Sequence, residues 1–84
     1  MTDLEFDILD ELYFVTSFAE LLPKFDISQE NLKLNLLQMI EKGWVNYYVE
    51  LDGAANQMLP SIDQQICMLF FLASKQGLFA HNTK

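Results

Sequence analysis

Apolar residues in the first part of the chain recur at helical spacing. Leu4, Phe6, Ile8, Leu9, Leu12 and Tyr13 fill one broad arc of a helical wheel, and Asp3, Asp7, Asp10 and Glu11 gather opposite. Thr2 followed by Glu5 has the spacing of a capping box, so the helix is predicted to begin near Asp3. Phe14 and Val15 are strand formers in a short gap, which reads as a brief strand or a plain connection. Ser17 with Glu20 repeats the capping spacing and opens a short second helix, with Phe18, Leu21 and Leu22 on its apolar side. Pro23 is expected to end it, because the ring disfavours helical backbone at Leu22 and proline has no N–H to donate.

Lys24 to Ile27 forms the next turn, and Ser28 caps a third helix. Its buried arc holds Leu32, Leu36, Leu37, Met39 and Ile40, with Gln29 and Lys33 at the margins. The outward side holds Glu30, Asn31, Leu34, Asn35, Gln38, Glu41 and Lys42. Gly43 is a left-handed helix stop behind a cation. From Trp44 the period changes to two, with Val45, Tyr47, Val49 and Leu51 on one face and Trp44, Asn46, Tyr48 and Glu50 on the other. A strand to Leu51 is predicted, with Trp44, Tyr47 and Tyr48 read as core aromatics, an interface being the alternative.

Asp52-Gly53 signals a turn, and Ala54 to Gln65 reads as a long, mostly irregular loop. Ile66 to Leu72 alternates as a strand buried on both faces would. A helix is the alternative, capped by Ser61 with Gln64 and spaced by Ile62, Ile66, Leu69, Phe70 and Ala73. The strand is preferred because the preceding strand needs a partner. Ser74 then caps a terminal helix, Lys75 to His81, that lays Leu78 and Phe79 on the sheet.

At 84 residues the chain makes one domain, 1–84, and its 51% hydrophobic content implies either a well-filled core or apolar surface kept for a partner. A single cysteine excludes an internal disulfide framework. The acidic start MTDLEFD lacks the features of a signal peptide. The longest apolar run, Ile66 to Ala73, falls well short of the ~20 residues that span a bilayer. A soluble cytoplasmic protein with no membrane partner is expected. Residues 1–30 carry eight acids against Lys24 alone, which accounts for the whole net charge of −7. There is no arginine and no basic stripe of the kind that anchors nucleic acid through its phosphates.

The order helix, short helix, turn, third helix, glycine, strand, loop, strand resembles the winged helix-turn-helix family. SFAELLPKFDISQENLKLNLLQMIEKGWVNYY is similar to the family's second and third helices running into the wing, and FFLASKQGL to the returning strand. The resemblance implies an α+β fold, mainly α, with a three-helix core, a small β-hairpin wing and a short C-terminal helix. In DNA-binding members the third helix enters the major groove and the wing reaches the neighbouring backbone. Carried onto this chain, Gln29, Asn31 and Lys33 would read bases and Asp52 to Gln57 would be the wing tip. The third helix, however, sets Lys33 and Lys42 against Glu30 and Glu41, and the tip DGAANQ has no cation. The same face offers Leu34 among Asn31, Asn35 and Gln38, an apolar centre with a polar rim, as protein contacts have.

No catalytic constellation appears, and neither a cofactor nor a metal is expected. His81 is near the end, where chains fray, and Cys67 lies in an apolar run as an inert thiol. Asp7, Asp10 and Glu11 have no enclosing geometry for a divalent ion. Met39, Met58 and Met68 read as packing residues, and the three glycines are too scattered for a phosphate loop. The chain is therefore read as a small winged-helix regulatory module acting through protein-protein contact or homodimerisation, not an enzyme. The alternative is a sequence-specific DNA-binding transcriptional regulator.

Overall fold

The computed structural model describes residues 1–82. Thr2 caps α1 (Asp3–Glu11) through the reciprocal box its spacing predicts: its Oγ1 accepts from Glu5 N at 3.1 Å, and its own N–H donates to Glu5 Oε1 at 2.8 Å. Ile8, Leu9 and Leu12 are fully buried from this segment. The gap that follows yields a two-residue strand, β1 (Thr16–Ser17), one step later than Phe14 and Val15, which stay outside it.

Ser17 and Glu20 form a second reciprocal box over α2 (Phe18–Leu21). Leu22 is not pushed out of the helical region, as Pro23 led us to expect, but keeps right-handed backbone. Pro23 sits instead in the first turn of a 3₁₀ segment, Leu22–Lys24, where a missing N–H leaves no bond unmade. α3 (Gln29–Glu41) starts at Ser28, whose Oγ accepts from Asn31 N at 3.1 Å, and buries Leu32, Leu36 and Met39. Its end closes as a Schellman motif: Gly43 N–H donates to Ile40 O at 3.0 Å and Trp44 N–H to Met39 O at 2.9 Å. Gly43 has φ 80°, a conformation costly for any residue with a Cβ.

β2 (Val45–Tyr48) is shorter than the alternation to Leu51 predicts. Its partner β3 (Phe70–Ala73) is only four residues long, and the register ends at Tyr48 opposite Phe70. Beyond that pair Val49, Glu50 and Leu51 leave the sheet and are exposed. The Ile66–Leu72 expectation is corrected by division. Ile62–Gln65 forms a one-turn helix, α4, and Ile66–Met68 a 3₁₀ turn, and only then does β3 begin. So the irregular loop ends at Ser61, whose side chain makes no cap bond. Nor is β3 buried on both faces: Phe71 and Ala73 are buried, while Phe70 and Leu72 are half-buried.

The sheet is antiparallel with order β1-β3-β2, so the last strand lies in the middle. Val45, Tyr47, Phe71 and Ala73 bury one face with Phe18, Leu21, Ile66 and Leu69 and the helical leucines. Of the three aromatics expected in the core, Tyr47 is buried and Trp44 and Tyr48 are half-buried. Met58 and Met68, read as packing residues, are exposed.

α5 (Lys75–Asn82) starts where Ser74 Oγ accepts from Gly77 N–H at 2.9 Å. A Cβ at Gly77 would stand 2.0 Å from Trp44 O, so the helix approaches the backbone as only glycine allows. Leu78 packs on the core, but Phe79 points away from the sheet and is 71% exposed. His81 is not frayed: it is buried, stacked on Phe6 with ring centroids 4.0 Å apart, and holds α5 against α1. The result is an α+β domain of five α-helices and one three-stranded sheet among the described residues. None of its helices is long and apolar enough to cross a membrane.

Candidate interaction surface on the third helix

α3 turns Asn31, Leu34 and Gln38 outward, and Leu34 is 54% exposed. The reason is positional: Leu32, Leu36 and Met39 take the inward arc, which leaves position 34 on the far side of the helix. Asn35 is half-buried, and its Nδ2 donates back to Asn31 O at 2.8 Å, so that amide stiffens the helix rather than facing a partner. Of the predicted contact set, the structure thus brings together Asn31, Leu34 and Gln38 as an open strip and assigns Asn35 to its floor.

The base-reading set fares differently. Gln29 is exposed, but its Nε2 donates to Cys67 Sγ at 3.2 Å, tying the start of α3 to the turn before β3. Lys33 is mostly covered, with 24% of its side chain exposed, and its Nζ lies 3.8 Å from Glu30 one turn earlier. Asn31 alone of the three makes no hydrogen bond or ion pair through its side chain. The tip expected to project as a wing is folded back instead. Asn56 N–H donates to Tyr47 O at 2.8 Å, its Oδ1 accepts from Tyr47 N at 2.9 Å, and Tyr47 Oη donates to Gln57 O at 2.7 Å. Asn56 adopts φ 56°, which asparagine tolerates better than most residues, and its Nδ2 reaches Asn46 Oδ1 at 3.0 Å. This segment seals the outer edge of β2. At Tyr47 the chain thus covers the edge of its own sheet.

Lys24 and Lys42, like Lys33, are held in ion pairs within the chain. Lys24 pairs with Glu11 at 3.1 Å, and Lys42 pairs with Glu5 at 2.8 Å while lying 4.7 Å from the Trp44 ring centroid. Glu5 is buried, which by itself raises its pKa; the Lys42 hydrogen bond and charge and the Thr2 N–H outweigh that and hold the carboxyl below its ordinary value. Lys75 is the one lysine among the described residues without an ion pair. No group of three or more His, Cys, Asp or Glu residues is placed to hold a metal among the described residues. Compared with known family models, curated proteins and solved structures, the chain matches none.

What sequence reasoning missed is the pairing of Lys42 with Glu5, because 37 residues separate them and no local pattern joins them. It missed equally the burial of His81, whose position near the terminus hid its role in joining α5 to α1.

Proposed function

We propose that this chain is a small regulatory module of winged-helix organisation that acts through protein-protein contact, with the outward strip of α3 as its contact surface. The observation that carries this is the contrast on α3 itself. Leu34 is open, whereas Lys33 and Lys42, the cations that would anchor phosphate, are paired with Glu30 and Glu5. The element order supports the winged-helix organisation, with a two-residue strand set before α2 and a wing that lies back along β2. Leu34 flanked by Asn31 and Gln38 presents an apolar centre with amides that can donate and accept at the rim. Covering the exposed half of Leu34 contributes on the order of 1 kcal/mol, and a preformed helix keeps the ordering cost of docking low. The partner is another protein or a second copy of the chain.

A photo-cross-linking residue placed at Leu34 in cells tests this directly. A discrete protein adduct, absent when the same residue replaces Lys75, is the expected result; its mass distinguishes a second copy from a different protein. Retardation of a random duplex pool at low salt, weakened by Lys33→Glu, would replace this reading with the DNA-binding regulator that reads bases through Gln29, Asn31 and Lys33.

A further inference from the structure

Tyr13, Phe14 and Val15 are three consecutive large apolar side chains open to water, at 46%, 82% and 39% exposure, and the described chain has no other such run. Consecutive exposed apolar residues weaken solubility and are kept only where they do something. The corner that presents them is fixed. Leu12 O accepts from Ala73 N–H at 2.9 Å, and Thr16 Oγ1 donates to Phe14 O at 2.9 Å. Tyr13 Oη sits 3.3 Å from both His81 Nδ1 and Asn82 Oδ1, which sets the end of α5 beside it. Phe79, one turn before Asn82 and likewise exposed, shares with Asn82 one face of α5. An aromatic surface held this rigidly loses little freedom when covered.

We propose that this corner docks a basic amphipathic segment of a second protein, through Phe14, Tyr13, Val15 and Phe79. Charge selects the occupant. Asp10 lies 3.6 Å from His81 Nε2 beside Tyr13, and Glu11, just before the corner, is 3.1 Å from Lys24, while Asp7 and Glu20 are exposed on α1 and at α2 on either side of it in sequence. Four carboxylates to one lysine favour a partner that brings its own cations to the rim of an apolar stripe. A second copy does not supply them, because the chain carries a net charge of −7 and, of its described lysines, Lys24, Lys33 and Lys42 are held in ion pairs and only Lys75 is left. An anionic lipid surface is repelled by the same rim. Strand addition is blocked too, since Glu20 Oε1 already accepts from Ser17 N–H at 3.3 Å on the outer side of β1. The segment therefore docks by side chains. This surface shares no residue with the α3 strip, so either can fail without the other.

The test uses the isotope-labelled full chain titrated with a helix-forming Leu/Lys peptide of roughly 18 residues whose leucines recur at helical spacing. Saturable shifts confined to residues 7–20 and 79–82 are expected. Phe14→Ser, at an exposed position that leaves the fold intact by circular dichroism, should weaken binding about thirtyfold, as loss of a hot-spot aromatic does. Asp10→Asn should flatten the salt dependence, and Leu34→Ser should change nothing. Equal binding by a scrambled Leu/Lys peptide, shifts centred on α3, or an unaffected Phe14→Ser variant would each overturn the proposal. So would tighter binding to phosphatidylserine vesicles than to the peptide, or a dimer in sedimentation that Phe14→Ser dissolves.

Discussion

The junction where α1, α3 and α5 meet and the connection from Val49 to Ser61 are built in opposite ways. At the junction, backbone and side chains of three helices bond one another. Ser74 N–H donates to Trp44 O at 2.9 Å, Ser74 Oγ to Gly43 O, Gln76 Nε2 to Lys42 O at 3.3 Å, and Lys42 Nζ to Glu5. The connection relies on one turn, Gly53 N–H to Glu50 O at 3.1 Å, on Asn56 and on the bond from Tyr47 Oη to Gln57 O at 2.7 Å, with Val49, Leu51 and Met58 left in water. The difference teaches where the fold is specified. A region whose polar atoms satisfy one another tolerates little change; a region held by a few side chains tolerates much, except at those side chains.

The sharpest way to break this contrast is Gly77→Ala. The added carbon would lie 2.0 Å from Trp44 O, so α5 must move off the α3 stop. A loss of about 3 kcal/mol is expected, read as a lower urea midpoint with little change in slope. A loss below that of ordinary surface substitutions would show that α5 docks loosely and that the junction is not what fixes the fold.

Lys42→Met comes next, at about 2 kcal/mol, because it leaves the Glu5 carboxylate buried with only the Thr2 N–H as partner. The sign of the pH dependence follows. The folded pKa of Glu5 lies below its ordinary 4.5, so folding favours the charged form. Its contribution is complete above that value and is lost as pH falls through the depressed folded pKa. Stability measured from neutral pH into acid should fall in this window, and the fall should shrink in Lys42→Met. An unchanged acid limb would remove Glu5–Lys42 from the set of contacts that matter. Gly43→Ala, forced to φ 80° and placing its Cβ 3.1 Å from Gln76 Oε1, should cost about 1.5 kcal/mol.

The sequence carried the junction's local parts and not their assembly. Thr2 with Glu5, Ser17 with Glu20, Ser28 and Gly43 announced themselves because a cap is satisfied within a few residues. The alternation through Val49 and Leu51 misled because a strand needs a partner as well as a pattern, and β3 ends the ladder at Phe70. The stretch from Ile62 to Leu72 held both answers, a helical turn and then a strand, in a run too apolar for periodicity to divide. Leu34 was legible as an outward leucine from its helical position alone. The commitment of Lys42 to Glu5 depends on a tertiary contact that no local pattern encodes. Phe14 could be seen as a strand former in a gap, but only the position of β1 after it shows that it has no strand to join.

Asn56 is where the sparse region can be tested with the least disturbance. It satisfies both backbone groups of Tyr47 on the open side of β2, one with its own N–H and one with its side chain. Replacing it with glycine keeps the left-handed backbone and the N–H bond while deleting the side-chain acceptor. The freed Tyr47 N–H can find water, so the stability cost should be no more than about 1 kcal/mol by thermal melting. Asn56→Asp, which retains an acceptor oxygen in place of Oδ1, should recover most of it. The larger consequence lies in association. An unsealed β2 edge next to exposed Val49 and Leu51 is a template for another strand. Asn56→Gly should therefore raise the sedimentation-averaged mass as concentration increases, while Asn56→Asp stays at the parent value. If both variants sediment like the parent, the fold-back loop is not what keeps the edge closed, and the contrast with the junction loses its one anchored point.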